Sequence, residues 1–308
     1  MSPMNNRLLV PRKTPGLLDL VPGAAAAYSL RSLSNSYAGP VVTVRRSSDD
    51  AEDSFTASEV SDGTLAAFCG AGDGFVKQWW DQSSNARHAS QTTAGYQPKI
   101  VSSGVVITEE GKPAVEFDGT DDRLEVPSST SAFNFMHNAQ ASSFFVARFG
   151  TSSSPGANYV VFYNGGGSTG QTGVSVFYGD SSPSFNDSFA YSVTKGVSGT
   201  LVLSSSVDNI LPGFAQSLCT AIADCSAAIA GDRLSHYING AEFADDNTAT
   251  APPSSGNASE DFCIGAFHNG ATYASFMLGT MQEIIIYPSD LTEQRELIEG
   301  LIAWEYSV

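Results

Sequence analysis

Short runs of β-branched and aromatic residues, separated by glycine, serine and aspartate, limit what this chain can fold into more than any other feature. The runs are densest in residues 76–126. Residues 114–117 alternate apolar and polar side chains, and residues 123–126 do the same after a glycine turn. Alternation predicts strands with one buried and one solvated face, and the turn predicts that these two strands form a hairpin. The pattern therefore indicates an antiparallel all-β fold.

The composition indicates one large domain that can bury a core. The chain has 308 residues, of which 29 are glycine, 42% are hydrophobic and only 15% are charged. Such a composition is typical of many short strands joined by turns, and all-β sandwiches often exceed about 200 residues as one unit. We expect a β-sandwich over residues 17–308.

The net charge of −17, with only 15 Lys and Arg residues, argues against nucleic acid as a partner, because phosphate contacts need clustered basic side chains. The sequence contains no apolar run of about 18 residues, and its start lacks the core of a signal peptide, so we expect neither membrane insertion nor secretion. The four cysteines have no CxxC spacing, which argues against zinc and favours reduced core thiols. A local bridge between Cys219 and Cys225 stays open.

Local signals outside this region predict further strands and a few short helices. A helix is expected in residues 58–71, and another after Thr292, which can cap it. In that last helix Leu297, Ile298, Leu301 and Ile302 form one apolar stripe that should pack on the sheet. Asn239 and Gly240 predict a type I′ hairpin turn.

Residues 1–16 differ from the rest and are expected to form an extended arm rather than a sheet strand, because three prolines interrupt them. A disordered tail is the alternative. The residues expected to bind a partner are three apolar side chains flanked by basic ones: Arg7, Leu8, Leu9, Val10, Arg12 and Lys13.

Several sequence words resemble concanavalin A-like (LamG-type) sandwiches found in bacteriophage structural proteins. WWDQSSNARHA, QPKIV and GKPAVEFDGTDDRLEV resemble the patterns WYDQSGNGNHA, QPxIV and GxPAIxFDGxxDxL of that family, in the same order. AYSLR, VRRSSDD and the final GTMQEIIIYPSDLTEQRELIEGLIAW extend the resemblance to both ends. It implies a jelly-roll sandwich with short peripheral helices. It also implies a virion component, such as a capsid decoration, fibre or tail accessory protein, whose partners are other virion proteins or copies of itself.

The same opening words, with WDQS, are similar to the catalytic domain of α-L-arabinofuranosidases. That family places its nucleophile Glu in a strand like GHMEAIY, and the similar residues 173–178 carry Ser175 at that position. The family's acid/base Asp follows an IGG strand end, where this chain has Phe267 and His268. The resemblance therefore implies a sandwich without catalytic residues. A glycoside hydrolase remains the alternative, because such enzymes need two carboxyl groups around the sugar.

The remaining candidate sites are weaker. Asp118, Asp121 and Asp122 lack the spacing of an EF-hand loop, so we expect a solvated turn, no metal and no cofactor. His88 and Asp81 are expected to bond loop backbone. Tyr96 and Tyr273 are candidates for stacking on host-surface glycans, whereas one of the adjacent Trp79 and Trp80 must face the core. Three functions stay open: virion structural protein, glycan-binding module and glycoside hydrolase.

Overall fold

The computed structural model describes residues 14–150, 157–166, 170–180, 188–195, 201–207, 215–227, 233–243 and 255–308. The predicted arm residues Arg7 to Lys13 lie outside the described residues. Within these ranges the α-helices are α1 (Leu17–Leu20), α2 (Ala57–Ser61), α3 (Thr64–Cys69), α4 (Phe135–Asn138) and α5 (Arg295–Tyr306). Single 3₁₀ turns lie at Ala94–Tyr96 and Thr292–Gln294.

The strands make up far more of the described chain than the helices do. They are β1 (Ala26–Ser29), β2 (Val42–Arg46), β3 (Glu52–Phe55), β4 (Gly74–Trp79), β5 (Ala89–Ser90), β6 (Lys99–Ser102), β7 (Val105–Val106), β8 (Thr108–Glu109), β9 (Lys112–Pro113), β10 (Val115–Asp118), β11 (Leu124–Val126), β12 (Gln140–Phe149), β13 (Ala157–Asn164), β14 (Thr172–Asp180), β15 (Ser188–Lys195), β16 (Leu201–Val207), β17 (Ser217–Asp224), β18 (Leu234–Ile238), β19 (Ala241–Phe243), β20 (Phe262–Ile264), β21 (Phe267–His268), β22 (Tyr273–Ala274) and β23 (Leu278–Tyr287).

These strands form an all-β sandwich of two antiparallel layers. β23 lies at the centre of one layer, with β1 and β10 along one edge and β12 along the other. From β12 this layer continues through β17 and β18 to β19. The second layer runs β5, β11, β20, β13, β14, β15 and β16. β4 pairs with β2, β5 and β6, so it connects the two layers.

The main core lies between the layers and is rich in aromatic side chains. Phe145 of the first layer meets Phe162 and Phe189 of the second, with ring centroids 6.0 and 5.5 Å apart. Trp79 is fully buried and its ring lies 6.0 Å from that of Tyr28. The expectation that one of the two adjacent tryptophans faces the core is therefore confirmed, and Trp80 donates instead from Nε1 to Thr43.

The predicted hairpin of residues 114–126 is wrong. Its two strands do alternate as expected, but β10 pairs with β6 and β23, whereas β11 pairs with β5 and β20. The turn between them, centred on Gly119, crosses from one layer to the other. The hairpin at Asn239 and Gly240 is confirmed, because both residues have positive φ between β18 and β19.

A second core packs α1 and α5 on the outer face of the first layer. Leu17, Ile298, Ile302 and Tyr306 are buried there. The predicted helix stripe is only partly correct, because Leu297 is 50% exposed. Thr292 does not cap α5. It begins a 3₁₀ turn, and its own backbone N–H donates to Asp290 Oδ1.

One buried ion pair ties this outer core to the sheet. The Glu283 carboxylate accepts from Arg31 Nε and Nη2, both at 2.8 Å, and from Ser29 Oγ at 2.7 Å. Tyr306 Oη donates to it as well, at 3.1 Å. All four cysteines are free and buried, which answers the open question about Cys219 and Cys225.

Candidate functional site

A row of side chains crosses the outer face of the second layer. Ser175 on β14 lies opposite Tyr163 on β13, Tyr163 lies opposite Cys263 on β20, and Cys263 lies opposite Glu125 on β11. On the far side Ser175 pairs with Ser192 of β15. Neighbours of Ser175 along its own strand, such as Val174, point into the main core. The row is therefore the surface that the second layer turns away from the core.

The hairpin of β21 and β22 folds over this row. The ring of Phe267 lies 5.0 Å from that of Tyr163. Tyr163 Oη donates to Gln171 Oε1 at 2.8 Å, and Gln171 Nε2 donates to the carbonyl of His268 at 3.2 Å. The structure thus connects both positions singled out by the family resemblance, Ser175 and Phe267–His268, through Tyr163.

Neither of these two positions carries a carboxyl group, and Ser175 is only 2% exposed. Two glutamates that the sequence analysis did not single out lie at the hairpin instead. Glu260 Oε2 is 3.2 Å from His268 Nδ1, and Glu125 accepts a hydrogen bond from the Tyr273 hydroxyl. The signal for Glu125 was available, because it is the polar residue between the buried Leu124 and Val126. Glu260 follows no regular pattern.

Four side chains from three segments form a stack at the border of the row. The Arg123 guanidinium carbon lies 4.1 Å from the ring centroid of Tyr96 and 3.8 Å from that of Tyr273. The His268 imidazole is parallel to the Tyr273 ring, at 4.2 Å and 3°. Two planar groups cannot occupy one face of a phenol ring at these distances, so His268 and Arg123 cover opposite faces of Tyr273. We name this set of four side chains the stack.

The structure therefore brings the two predicted glycan-stacking tyrosines together, but in unequal roles. Both faces of the Tyr273 ring are covered, so it holds its neighbours in place. Tyr96 lies at the end of the stack, in the exposed 3₁₀ turn Ala94–Tyr96, and only its contact with Arg123 is a ring contact. Of the pair, Tyr273 contacts two planar groups of the stack and Tyr96 contacts one.

Arg123 is buried and incompletely bonded. Its Nη1 donates to the carbonyl of Asp121 at 2.9 Å, whereas its buried Nε has no hydrogen-bond partner. Burial and the hydrogen bond to Glu125 raise the pKa of Tyr273, so its hydroxyl stays protonated and continues to donate. The stack therefore combines a charged guanidinium with two phenol rings in fixed contact.

The turn before Arg123 holds three aspartates whose carboxylate oxygens lie within 4.8 Å of one another: Asp118, Asp121 and Asp122. Asp118 Oδ1 accepts from the N–H groups of Thr120 and Asp121, and Asp122 Oδ2 accepts from that of Asp118. Burial, then the charge of Asp118, raises the pKa of Asp122 to about 7. The hydrogen bonds within the turn explain why the three carboxylates lie so close together.

A cleft of about 500 Å³ lies on the other side of the same turn. One wall carries Arg45, Phe75 and Lys99, which are cross-strand neighbours on β2, β4 and β6. The other wall carries Glu116, Asp118 and Asp122. Arg45 is bonded to Asp50 and Gln97, and Lys99 to Asp73, so the basic wall is already neutralised within the chain.

The loop after β4 has a structural role, as expected. Asp81 accepts from the N–H groups of Ala27, Ser83 and Arg87, and His88 Nδ1 accepts from that of Asp81. These bonds join the loop to β1.

Among the described residues, no helix is long and apolar enough to cross a membrane.

Comparisons with known proteins agree with the β-sandwich fold. Residues 19–114 match the family described as "Alpha-L-arabinofuranosidase B, catalytic". A solved arabinofuranosidase bound to arabinofuranosyl-alpha-1,2-xylobiose superposes with a TM-score of 0.62 over 91% of this chain, at 16% sequence identity. The chain has an arabinofuranosidase-like β-sandwich fold.

A second solved structure, a GH54 α-L-arabinofuranosidase soaked with a cyclic sulfate inhibitor, gives a TM-score of 0.55 at 14% identity, again over 91% of this chain. This chain covers 62% of the length of each of the two enzymes. At such low identity the likeness shows the fold alone. No curated protein matches the sequence.

Proposed function

We propose that this protein is a non-hydrolytic, glycan-binding β-sandwich whose binding surface is the stack at the border of the second layer. The observation that carries the proposal is the stack itself, a preformed set of aromatic and charged side chains at one border of the second layer. The resemblance to arabinofuranosidases supports the non-hydrolytic part, because it implies that Ser175 stands where that family has its nucleophile.

The stack has the chemistry that sugar recognition needs. A pyranose or furanose ring packs its C–H face on an aromatic side chain, for which Tyr96 is available. Sugar hydroxyl groups then need planar donors and acceptors held in fixed positions, and Arg123, Glu125 and Glu260 lie at the same border. Because the stacked rings hold these groups before binding, little side-chain entropy is lost when a sugar binds.

A glycosidase needs two carboxyl groups on either side of the bond, and the two glutamates bonded to the stack are Glu125 and Glu260. Each of these two is already bonded to a member of the stack, Tyr273 and His268 respectively. A role in holding the stack explains both contacts.

A glycan array followed by titration calorimetry on each hit tests the proposal. We expect binding by the wild-type chain and a loss of roughly tenfold or more in affinity for Tyr96→Ala. Trp304→Ala is the matched control, because it removes an exposed aromatic ring on a different element. Equal affinity of the two variants, or no hit with the protein displayed multivalently, would reject the stack as a binding site.

A second role, as a bacteriophage virion component anchored by residues 1–16, is supported by the resemblance of the sequence words. The exposed indole of Trp304 on α5 supports it too, since a bare Trp is typical of a binding surface. Deletion of residues 2–15 should leave a folded sandwich that no longer enters particles. Normal incorporation of this deletion variant would place the attachment surface elsewhere.

A further inference from the structure

The outward face of α5 carries an exposed apolar stripe. Trp304 is 89% exposed and Leu297 is 50% exposed. They are seven residues apart, which is two helical turns, so they lie on one side of the helix. Leu301 lies beside them and is partly buried. Large apolar side chains on a helix normally face the core, so this stripe needs a covering partner.

Gly300 makes a notch in the stripe. It lies between Leu297 and Trp304 on the same side of α5, and a Cβ built there would meet no atom within 4 Å. Glycine inside a helix costs about 1 kcal/mol relative to alanine, and no neighbour in the fold requires it. A small apolar side chain from a partner fits beside the indole at this point.

The rim of the stripe is acidic. Glu293 is exposed. The Glu296 side chain is 87% exposed, and its Oε1 lies 3.4 Å from Arg295 Nη2. Arg295 is bonded to Glu299, and its guanidinium lies 4.0 Å from the Tyr237 ring centroid. The partner that fits this surface is therefore a short segment with apolar residues flanked by basic ones.

Residues 1–13 have that composition. They contain Arg7, Arg12 and Lys13 and no acidic residue, so residues 14–308 carry −17 − 3 = −20. Two such bodies repel each other, and these thirteen residues hold clustered basic charge that can offset the repulsion. Leu8, Leu9 and Val10 stand between the basic residues and match the apolar stripe.

The position of the stripe favours an arm from a second copy over the arm of the same chain as the segment that covers it. Leu297 and Trp304 face away from Ile298 and Ile302, which pack in the core that also contains Leu17. An arm that starts at Thr14 would pass half-way round the helix, roughly 16–19 Å for a helix 10–12 Å across. At about 3.5 Å per residue this path uses about five residues and consumes most of the apolar segment.

We propose that residues 7–13 of one copy bind the α5 stripe of a second copy. The proposal does not depend on glycan binding, and it selects one partner among those open to the virion role. Mutual exchange of arms closes a two-fold dimer, whereas one-way exchange gives chains of copies.

A complementation experiment with two full-length variants tests this. One variant changes the arm (Leu8→Asp with Leu9→Asp) and keeps α5; the other changes the stripe (Gly300→Gln with Trp304→Ala) and keeps the arm. Light scattering should show self-association of the wild-type chain, weakening by roughly tenfold or more for each variant, and a complex of two copies when the variants are mixed. Self-association should also weaken as salt rises, because opposite charges meet.

Folding and function have separate readouts. Gly300→Gln alone should raise the melting temperature while it weakens self-association, which a misfolded variant does not do. Glycan affinity of both double variants should equal that of the wild type. A monomeric wild-type chain whose Trp emission does not respond to the arm variant would overturn the proposal. A monomer whose emission does respond would show that the chain covers its own helix, and this too would overturn it, as would failure of the mixed variants to associate.

Discussion

The imidazole of His268 lies parallel to the phenol ring of Tyr273, with 4.2 Å between centroids and 3° between planes. Arg123 covers the other face of the same ring, at 3.8 Å. Tyr273 is therefore fixed from both sides, and its hydroxyl donates to Glu125. The ends of the stack are Tyr96 and His268, so the proposed glycan is expected to contact these two residues and to reach Tyr273 only at its edge.

His268→Ala should weaken glycan binding about tenfold, because it removes one end of the stack and frees Glu260. Unfolding free energy should fall by less than about 1 kcal/mol, since His268 is not fully buried. Titration calorimetry and urea unfolding measure the two effects. The matched control is His88→Ala, a histidine 4.5 Å from the Trp80 ring and outside the stack. A loss of affinity in both variants would contradict a specific role for His268.

The wild-type chain should release no product from aryl arabinofuranosides, because the resemblance to arabinofuranosidases implies a serine, Ser175, at the position of their carboxylate nucleophile. A chromogenic assay at high protein concentration measures this. Glu125→Gln and Glu260→Gln are the diagnostic variants, and Trp304→Ala is the control. Turnover that a single one of these glutamine substitutions abolishes would establish the hydrolase instead.

Stability should depend on pH through Asp122, whose folded-state pKa is raised to about 7 by burial and by Asp118. Its unfolded pKa is about 3.9, so between these values the folded state holds a proton that the unfolded state has lost. The contribution of Asp122 to stability is thus fully present below about pH 4 and is lost as pH rises through about 7.

Asp122→Asn should remove this dependence, because the amide oxygen can still accept from the Asp118 N–H without a charge. Thermal unfolding across the range should show a higher melting temperature than the wild type at pH 8 and an equal one at pH 4. Asp53→Asn, in the exposed part of β3, is the control. A parallel pH profile for Asp122→Asn and the wild type would show that another group is responsible.

Arg31→Ala should cost about 3–5 kcal/mol of unfolding free energy, because it leaves the fully buried Glu283 without its cation. Urea unfolding measures this. Adding Glu283→Leu should restore part of the loss, since the unpaired charge is then gone. Arg46→Ala breaks the surface pair with Asp49 and should cost far less, because water screens that pair. A small effect of Arg31→Ala would mean that water reaches Glu283.

The four thiols should be unreactive in the folded protein. All are buried, and burial raises the pKa of Cys225 to about 12, so almost no thiolate forms at neutral pH. A thiol-specific reagent should modify none of them in buffer and all four in denaturant. Rapid modification of one thiol in buffer would locate a part of the sandwich that opens.

Local pattern predicted strands well and their partners poorly. Alternation in residues 114–117 and 123–126 identified β10 and β11, but their partners lie far away in sequence, and no local signal states which layer a strand joins. Asn239 and Gly240 were decisive because a type I′ turn depends only on its own two residues. Thr292 failed as a cap because Asp290, two residues earlier, offers a better acceptor.

The site was predictable only where a resemblance supplied the long-range information. Ser175 and His268 were selected because of sequence motifs that resemble the arabinofuranosidase family, and the structure connects both residues through Tyr163. Tyr96 and Tyr273 were selected for their chemistry, but the arginine that joins them was not, because Arg123 looked like the charged residue of a solvated strand face. Contacts between three distant segments arise from the sheet order, which the residues do not spell out locally.

The double partnership of β23 sets a limit on how the protein can be made. Ala26 pairs with Ile286, and Val115 pairs with Met281, so two early strands share one edge of a late one. During synthesis β1 and β10 must wait, each with one edge open, until residues 278–287 have left the ribosome. Acidic charge on the growing chain opposes pairing of these open edges with neighbouring chains before β23 arrives.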